Sequence, residues 1–235
     1  MNCRFCATGQ VGFKRNLSAE EISDQVLFWK QYVKKNNIFG EITSVVYMGM
    51  GEPFANYANL KKSLHVLMDE NTFAFGARHL SVSTCGLVEG IKSFTNDFPQ
   101  VNLAVSLNSA VDRKRSDIMP VNNKFSLKDL GKVLDYYFLK NNRKVFLEYI
   151  LFFNLNDSDK DAKALIDFIK SSARPDLLHV NLISYNTTSS NLKSPSRETV
   201  IWFKNYLNKH KINVTVRRSL GDEIQAACGQ LSAVR

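Results

Sequence analysis

Two cysteines have a spacing that suits a metal site or a redox site. Cys3 and Cys6 are separated by two residues, whereas Cys85 and Cys228 are isolated in the sequence. A C-x-x-C pair can be half of a zinc site, a thioredoxin-like redox pair or part of an iron–sulfur motif. A structural zinc site usually brings a second such pair or two nearby histidines, and the sequence has neither. All three interpretations stay open at this point.

A glycine-rich segment, residues 48–53, follows an apolar stretch that is typical of a strand. Its glycines would let a ligand approach the backbone, and the carboxylate of Glu52 could accept hydrogen bonds from an ammonium group. An ordinary turn between a strand and a helix would also contain Gly and Pro here.

Polar residues also stand at the ends of three other apolar stretches. Ser83, Ser106 and Asn186 each lie at or just past such an end. Any one of them could be a helix cap or a turn residue. In a parallel sheet the carboxyl ends of the strands share one rim, so these side chains and Glu52 would converge. Together they favour a site for a polar small molecule.

Cys228 stands among small residues, with Ala227 before it and Gly229 after it. A free cysteine in apolar company is usually a core residue. The small neighbours would instead leave room for a ligand beside the thiol. A core position is the simpler interpretation from these residues alone.

Helix and strand signals alternate along the whole chain. A capping-box pattern at Ser18 and Glu21 opens the first predicted helix, and Ser126 opens a later one. Other predicted helices are residues 60–68, 87–98, 157–169 and 197–207, and the predicted strands are residues 43–48, 80–83, 101–106, 144–152, 179–183 and 214–216. Six strands separated by helix-length segments predict an α/β fold with a parallel sheet, either open and doubly wound or closed into a barrel.

The charge balance favours an acidic partner. The chain of 235 residues carries 31 lysines and arginines against 22 acidic residues, a net charge of +9, and nucleic acid is the commonest partner of such proteins. Each small basic group, such as residues 113–115, is by itself typical of a solvated helix end. Apolar runs are strand-sized and the first residues do not form a secretory leader, so we expect a cytoplasmic protein without membrane contact.

Taken together, these segments resemble the radical S-adenosylmethionine (SAM) methyltransferases that act on C2 of an adenine in 23S ribosomal RNA. The resemblance covers essentially the whole chain and is carried by residues 3–9, 12–17, 48–53, 77–79, 83–87, 180–183 and 226–231. It implies a partial (β/α)6-type radical SAM barrel, with residues 1–235 forming one catalytic core. It also implies 23S rRNA as substrate, transfer RNA as a second candidate, a reductant such as flavodoxin or ferredoxin, and a monomer.

The resemblance also implies roles for individual residues. Cys3 and Cys6 would be the last two thiolates of a C-x-x-x-C-x-x-C loop that binds a [4Fe–4S] cluster. The residues that would contact SAM are Gly51, Glu52, Ser83, Ser106, Leu107, Asn108 and Asn186, although relatives often have His in place of Asn108. Cys228 would receive a methyl group from one SAM, and a radical generated from a second SAM would activate that group for addition to the electron-poor C2 of adenine.

The start of the sequence departs from the family pattern. The first cluster cysteine would lie four residues before Cys3, and therefore before Met1. The cysteine that resolves the protein–RNA crosslink, the first barrel strand and a small N-terminal RNA-binding domain would also be missing, and the resemblance does not mark Cys85 as catalytic. Three alternatives to a C2 methyltransferase stay open: a C8-specific relative, an inactive RNA-binding remnant, which the missing cysteines would permit, and a zinc-stabilised module that uses Cys3 and Cys6.

Overall fold

Three helices begin with the same reciprocal pair of hydrogen bonds. The computed structural model describes residues 1–188, 190–217 and 229–230. In it the Ser18 hydroxyl accepts a hydrogen bond from the Glu21 N–H, and the Glu21 carboxylate accepts one from the Ser18 N–H. Ser126 and Ser158 form the same capping box with an aspartate three residues on. These bonds satisfy N–H groups that a helix end leaves unpaired, and they confirm the helix starts predicted at Ser18 and Ser126.

Helices and strands alternate in the described ranges. The helices there are α1 (Ala7–Val11), α2 (Ala19–Lys35), α3 (Tyr57–Met68), α4 (Val88–Asp97), α5 (Asp112–Ile118), α6 (Leu127–Lys140), α7 (Asp159–Lys170) and α8 (Arg197–Lys209). The strands are β1 (Val45–Tyr47), β2 (Leu80–Thr84), β3 (Asn102–Ser106), β4 (Val145–Leu151), β5 (Leu178–Ser184) and β6 (Asn213–Arg217). Every strand predicted from the sequence is confirmed, with shifts of one or two residues at the ends.

The six strands form one parallel sheet in the order β1-β2-β3-β4-β5-β6. The sheet is curved, and the curvature brings its two edge strands towards each other. Arg217 at the end of β6 places Nη1 3.6 Å from the Sδ atom of Met48, which directly follows β1. The described strands therefore form a partial barrel rather than a flat open sheet.

The two faces of the sheet have different environments, as β4 illustrates. Leu147 and Tyr149 are fully buried against the helices, and the Tyr149 ring lies 5.6 Å from that of Phe203 in α8. Glu148 and Ile150 alternate with them and face the inside of the curved sheet. Side chains in a strand point to opposite faces in turn, so this inner face carries the residues between the core positions.

Two short helices, α1 and α5, are absent from the elements predicted by sequence. The inward-facing residues of α5 are Arg115 and Ile118, both buried, so the helix has no apolar stripe that a sequence pattern could reveal. None of the helices within the described ranges is long and apolar enough to cross a membrane.

Candidate active site

The strand ends bring the predicted polar residues to one rim, as a parallel sheet requires. Glu52 follows β1, Ser83 lies near the end of β2, Ser106 ends β3 and Asn186 follows β5. Ser83 and Ser106 are half-buried, and Asn186 is buried and engaged in polar contacts.

Glu52 joins the ends of β1 and β2. Its Oε1 atom accepts a hydrogen bond from the Phe54 N–H at 3.0 Å, and its Oε2 atom accepts one from the Cys85 N–H at 2.7 Å. A carboxylate has about four acceptor positions, so this anchored group can accept further donors. Gly51 beside it has a φ of +99°, in the left-handed region that favours glycine.

The loop that carries Cys3 and Cys6 is folded tightly and fixed at both sides. The Cys6 N–H donates to the Cys3 carbonyl at 3.2 Å, and a side chain on Gly9 would bring a Cβ within 3.1 Å of that same oxygen. The Arg4 N–H donates to the Ile118 carbonyl at 3.0 Å, and the Ala7 N–H donates to the Gly229 carbonyl at 2.8 Å. Distant parts of the chain therefore position the two thiols.

The cysteine loop packs on an apolar cluster at the rim. Cys3, Cys85, Ile150 and Ile183 belong to this cluster, with Cys6 packed against it. The pKa of Cys3 is raised to about 11, mainly because the thiol is buried and secondly because Cys6 lies nearby. The pKa of Cys85 is raised well above its usual range, mainly by burial and secondly by the negative charge of Glu52. Cys85 is therefore a protonated thiol at neutral pH.

Arg115 is a buried cation, so the prediction that residues 113–115 form a solvated helix end is wrong at this position. It is 1% exposed and donates hydrogen bonds to the carbonyl oxygens of Cys85 at 2.8 Å, Ser106 at 3.3 Å and Leu107 at 3.1 Å. Another nitrogen donates to Asn122 Oδ1 at 2.7 Å. Because the Cys85 N–H binds Glu52, Arg115 fixes the other side of the same residue. The local sequence gives no signal for this burial, because Ile118 is the one apolar residue of α5.

Proteins of known name match this chain over nearly its whole length, although no protein-family model matches it. The chain is 42% identical over 231 residues to a ribosomal RNA large subunit methyltransferase Cfr of Clostridium botulinum. The matched region covers 97% of this chain and 65% of that protein. It is also 42% identical over 234 residues to a probable dual-specificity RNA methyltransferase RlmN of Streptococcus pyogenes. That matched region covers 98% of this chain and 64% of the relative.

A solved structure has the same fold. A radical SAM methyltransferase from Sphaerobacter thermophilus superposes with a TM-score of 0.92 at 38% identity, over 97% of this chain and 66% of that one. The chain belongs to the radical SAM methyltransferases. It spans about 65% of the length of the curated relatives that it matches. A domain of a pyruvate-formate lyase-activating enzyme from Bacteroides vulgatus shares the fold alone, with a TM-score of 0.57 at 19% identity.

Radical SAM methyltransferases imply a [4Fe–4S] cluster and SAM, and the described residues fit part of such a site. Two neighbouring thiols supply soft sulfur donors, and coordination to a metal would remove their protons. Glu52 offers a fixed carboxylate at the same rim. Within the described ranges, no three His, Cys, Asp or Glu side chains are grouped as the ligands of one metal ion would be.

Two further predicted SAM-contact residues, Leu107 and Asn108, are buried. Leu107 is fully buried in the main core. Asn108 is 1% exposed, with Oδ1 accepting the Ile150 N–H at 2.9 Å and Nδ2 lying 3.2 Å from Met119 Sδ. Their side chains are thus committed to the interior. Cys228 lies outside the described residues.

Proposed function

We propose that this protein methylates C2 of an adenine in 23S rRNA, with SAM as methyl donor and a [4Fe–4S] cluster as its metal cofactor. The carrying observation is that a paired-thiol loop and an anchored carboxylate meet at one rim of a radical SAM methyltransferase fold. The relatives that match the chain are named for ribosomal RNA or RNA methylation. Transfer RNA is a second candidate substrate, and we propose that residues 1–235 work as one catalytic core and as a monomer.

In this proposal the rim residues hold SAM. Glu52 accepts hydrogen bonds from the SAM ammonium group, because its carboxylate keeps free acceptor positions while two backbone N–H groups fix its orientation. Ser83 and Ser106 contact the remaining parts, and their half-buried hydroxyls support this role. Gly51 leaves the approach open, since no atom of the described part of the chain lies within 4 Å of the Cβ that a side chain would add.

Cys3 and Cys6 would hold the cluster, and a reductant such as flavodoxin or ferredoxin would supply its electrons. When bound, the reduced cluster and SAM supply the radical chemistry that an electron-poor carbon requires. The protein's contribution is to fix the thiols, to orient the donor and to exclude water from the rim. The apolar cluster beneath the loop supports this last role.

Cys228 is the proposed methyl acceptor. The residue after it, Gly229, accepts the hydrogen bond of the Ala7 N–H at 2.8 Å, and Gln230 donates to the Thr187 carbonyl at 3.2 Å. The chain therefore returns to the cysteine loop one residue after Cys228, which supports the assignment.

Methylation of RNA fragments by the anaerobically reconstituted protein tests the proposal. The Cys228→Ala variant should lose methylated adenine in nuclease digests while it still cleaves SAM. Adenine labelled with deuterium at C2 or at C8 identifies the site, because only the methylated carbon loses its label. Loss of deuterium from C8 would contradict the C2 assignment, and full methylation by Cys228→Ala would refute the role of that cysteine. A protein that binds zinc and no iron would refute the radical function.

A further inference from the structure

Glu148 is a buried carboxylate that the roles assigned so far do not use. It lies in the middle of β4 and is 6% exposed. Its Oε1 atom accepts a hydrogen bond from Asn181 Nδ2 at 2.9 Å. Among the residues that the structure describes, its Oε2 atom has no hydrogen-bond partner, and the nearest cation, Arg217 Nη1, stands 3.7 Å away. Buried polar atoms nearly always have a hydrogen-bond partner, so we expect this oxygen to bind a donor.

The position of Glu148 connects it to the candidate active site. It faces the inside of the curved sheet, between Ser106 on β3 and Asn181 on β5, with which it pairs in register. Two positions further along β4, Ile150 packs in the apolar cluster that contains Cys3. Two residues of a strand span about 7 Å, so Glu148 lies one layer beneath the cysteine loop.

The surroundings define what the free oxygen can bind. An acceptor oxygen requires a donor, and Arg217 already brings a positive charge to the same atom. A second cation there would be repelled by that guanidinium, whereas a neutral donor would not. A hydroxyl fits this requirement, and a carboxylate that binds a ribose hydroxyl is a recurrent arrangement in nucleotide sites.

We propose that Glu148 Oε2 accepts a hydrogen bond from a ribose hydroxyl of the nucleoside that binds at the rim. This inference rests on the proposed function only in requiring a nucleoside there. The hydroxyl can come from the adenosyl group of SAM or from a nucleotide of the RNA. Burial raises the pKa of Glu148, which agrees with a buried carboxylate whose hydrogen bonding is incomplete.

The alternative is that Glu148 only supports the sheet by holding Asn181. Glu148→Gln separates the two roles, because the amide oxygen of Gln can still accept from Asn181 while an N–H group replaces the free oxygen. The variant therefore keeps the support of the sheet through Asn181 but can no longer accept a hydrogen bond from a hydroxyl at the second position. Glu41→Gln, at an exposed position, is the matched control.

Binding measurements on the reconstituted full chain test the inference without any methyl transfer. Calorimetry would compare S-adenosylhomocysteine with its analogues that lack the 2′- or the 3′-hydroxyl. A hydrogen bond to a charged acceptor corresponds to roughly a tenfold to hundredfold change in affinity. We expect one analogue to bind that much more weakly to the wild type and to Glu41→Gln, and no such difference in Glu148→Gln.

A second arm uses RNA fragments with a single 2′-deoxy substitution at or beside the target adenine. If the hydroxyl belongs to RNA, the sensitivity appears in this arm and is absent from the first. Wild-type insensitivity in both arms, no binding of either ligand, or sensitivity retained in Glu148→Gln would each overturn the inference. Because the readout is binding, loss of methylation alone would refute the proposed function and leave this result standing.

Discussion

Replacing Arg115 should destabilise the rim of the sheet more than any change to an exposed basic residue nearby. Arg115→Met keeps most of the buried stem but removes every donor of the guanidinium. Two buried acceptors, the Cys85 carbonyl and Asn122 Oδ1, then lose the partners that they have at 2.8 and 2.7 Å. An acceptor left unsatisfied in the interior costs about 1–3 kcal/mol.

The loss is partly offset, because the variant no longer buries a charge. We therefore expect Arg115→Met to lower the free energy of unfolding by about 2–4 kcal/mol. For a chain of this size, 1 kcal/mol corresponds to a change in Tm of about 2–4 °C, so Tm should fall by roughly 5–15 °C. Far-UV circular dichroism during heating measures the shift.

Arg113→Met is the matched control, because Arg113 lies on the same helix and is exposed. It should change the unfolding free energy by no more than about 0.5 kcal/mol. Arg115→Lys keeps the charge but cannot reach all four acceptors, and it should fall between the two. If Arg115→Met melts within about 2 °C of the wild type, the hydrogen bonds of the guanidinium do not hold the strand ends, and the reasoning fails.

Three further predictions concern other contacts. Gly90→Ala would place a Cβ 2.5 Å from the Phe54 Cβ, so urea unfolding should show a loss of about 1–3 kcal/mol. Gly131→Ala, whose added Cβ would meet no described atom within 4 Å, should instead gain about 0.5–1 kcal/mol. Equal effects would contradict the clash. Burial raises the pKa of Glu148 above its ordinary 4.5, so the folded protein retains this proton to higher pH than the unfolded chain does. The stabilising contribution of the protonated group is then present at low pH and is lost as pH rises above about 4.5. Urea titrations at several pH values should show that the wild type loses stability relative to Glu148→Gln as pH rises. A difference in stability that stays constant with pH would refute this. Asn156→Ala removes three hydrogen bonds of 2.7 Å to buried backbone groups and should cost about 2–4 kcal/mol in the same assay, with a loss below about 1 kcal/mol counting against it.

The sequence predicted the elements well wherever an apolar period was present. The strands carry apolar residues either in a run, as in β4, or in alternation with polar residues, as in β2 and β6. The serine caps marked two helix starts directly. The rim position of Ser83 and Ser106 followed from the parallel topology alone, since strand ends in such a sheet must share one side. These parts of the site needed no knowledge of tertiary contacts.

Other parts of the site depend on contacts between segments that are distant in sequence. No local pattern shows that Glu52 would bind the Cys85 N–H, or that Arg115 would turn inward to the carbonyls of two strands. Asn108 adopts a left-handed φ of +55°, and its amide binds inside the protein, which a residue type cannot reveal. Glu148 did leave a signal, because a charged residue inside an otherwise apolar strand needs a reason.

The attachment of the cysteine loop to Gly229 has a consequence for biosynthesis. The Ala7 N–H finds its acceptor 222 residues later in the chain (229 minus 7). A ribosome adds about 5–20 residues per second, so roughly 10–45 s separate the synthesis of the two partners. Ile150 and Ile183, which cover Cys3 in the folded protein, also emerge late. The two thiols therefore lack their apolar cover until Ile150 and Ile183 have been made. Under the proposed function, delivery of iron and sulfide to them should follow the synthesis of Gly229.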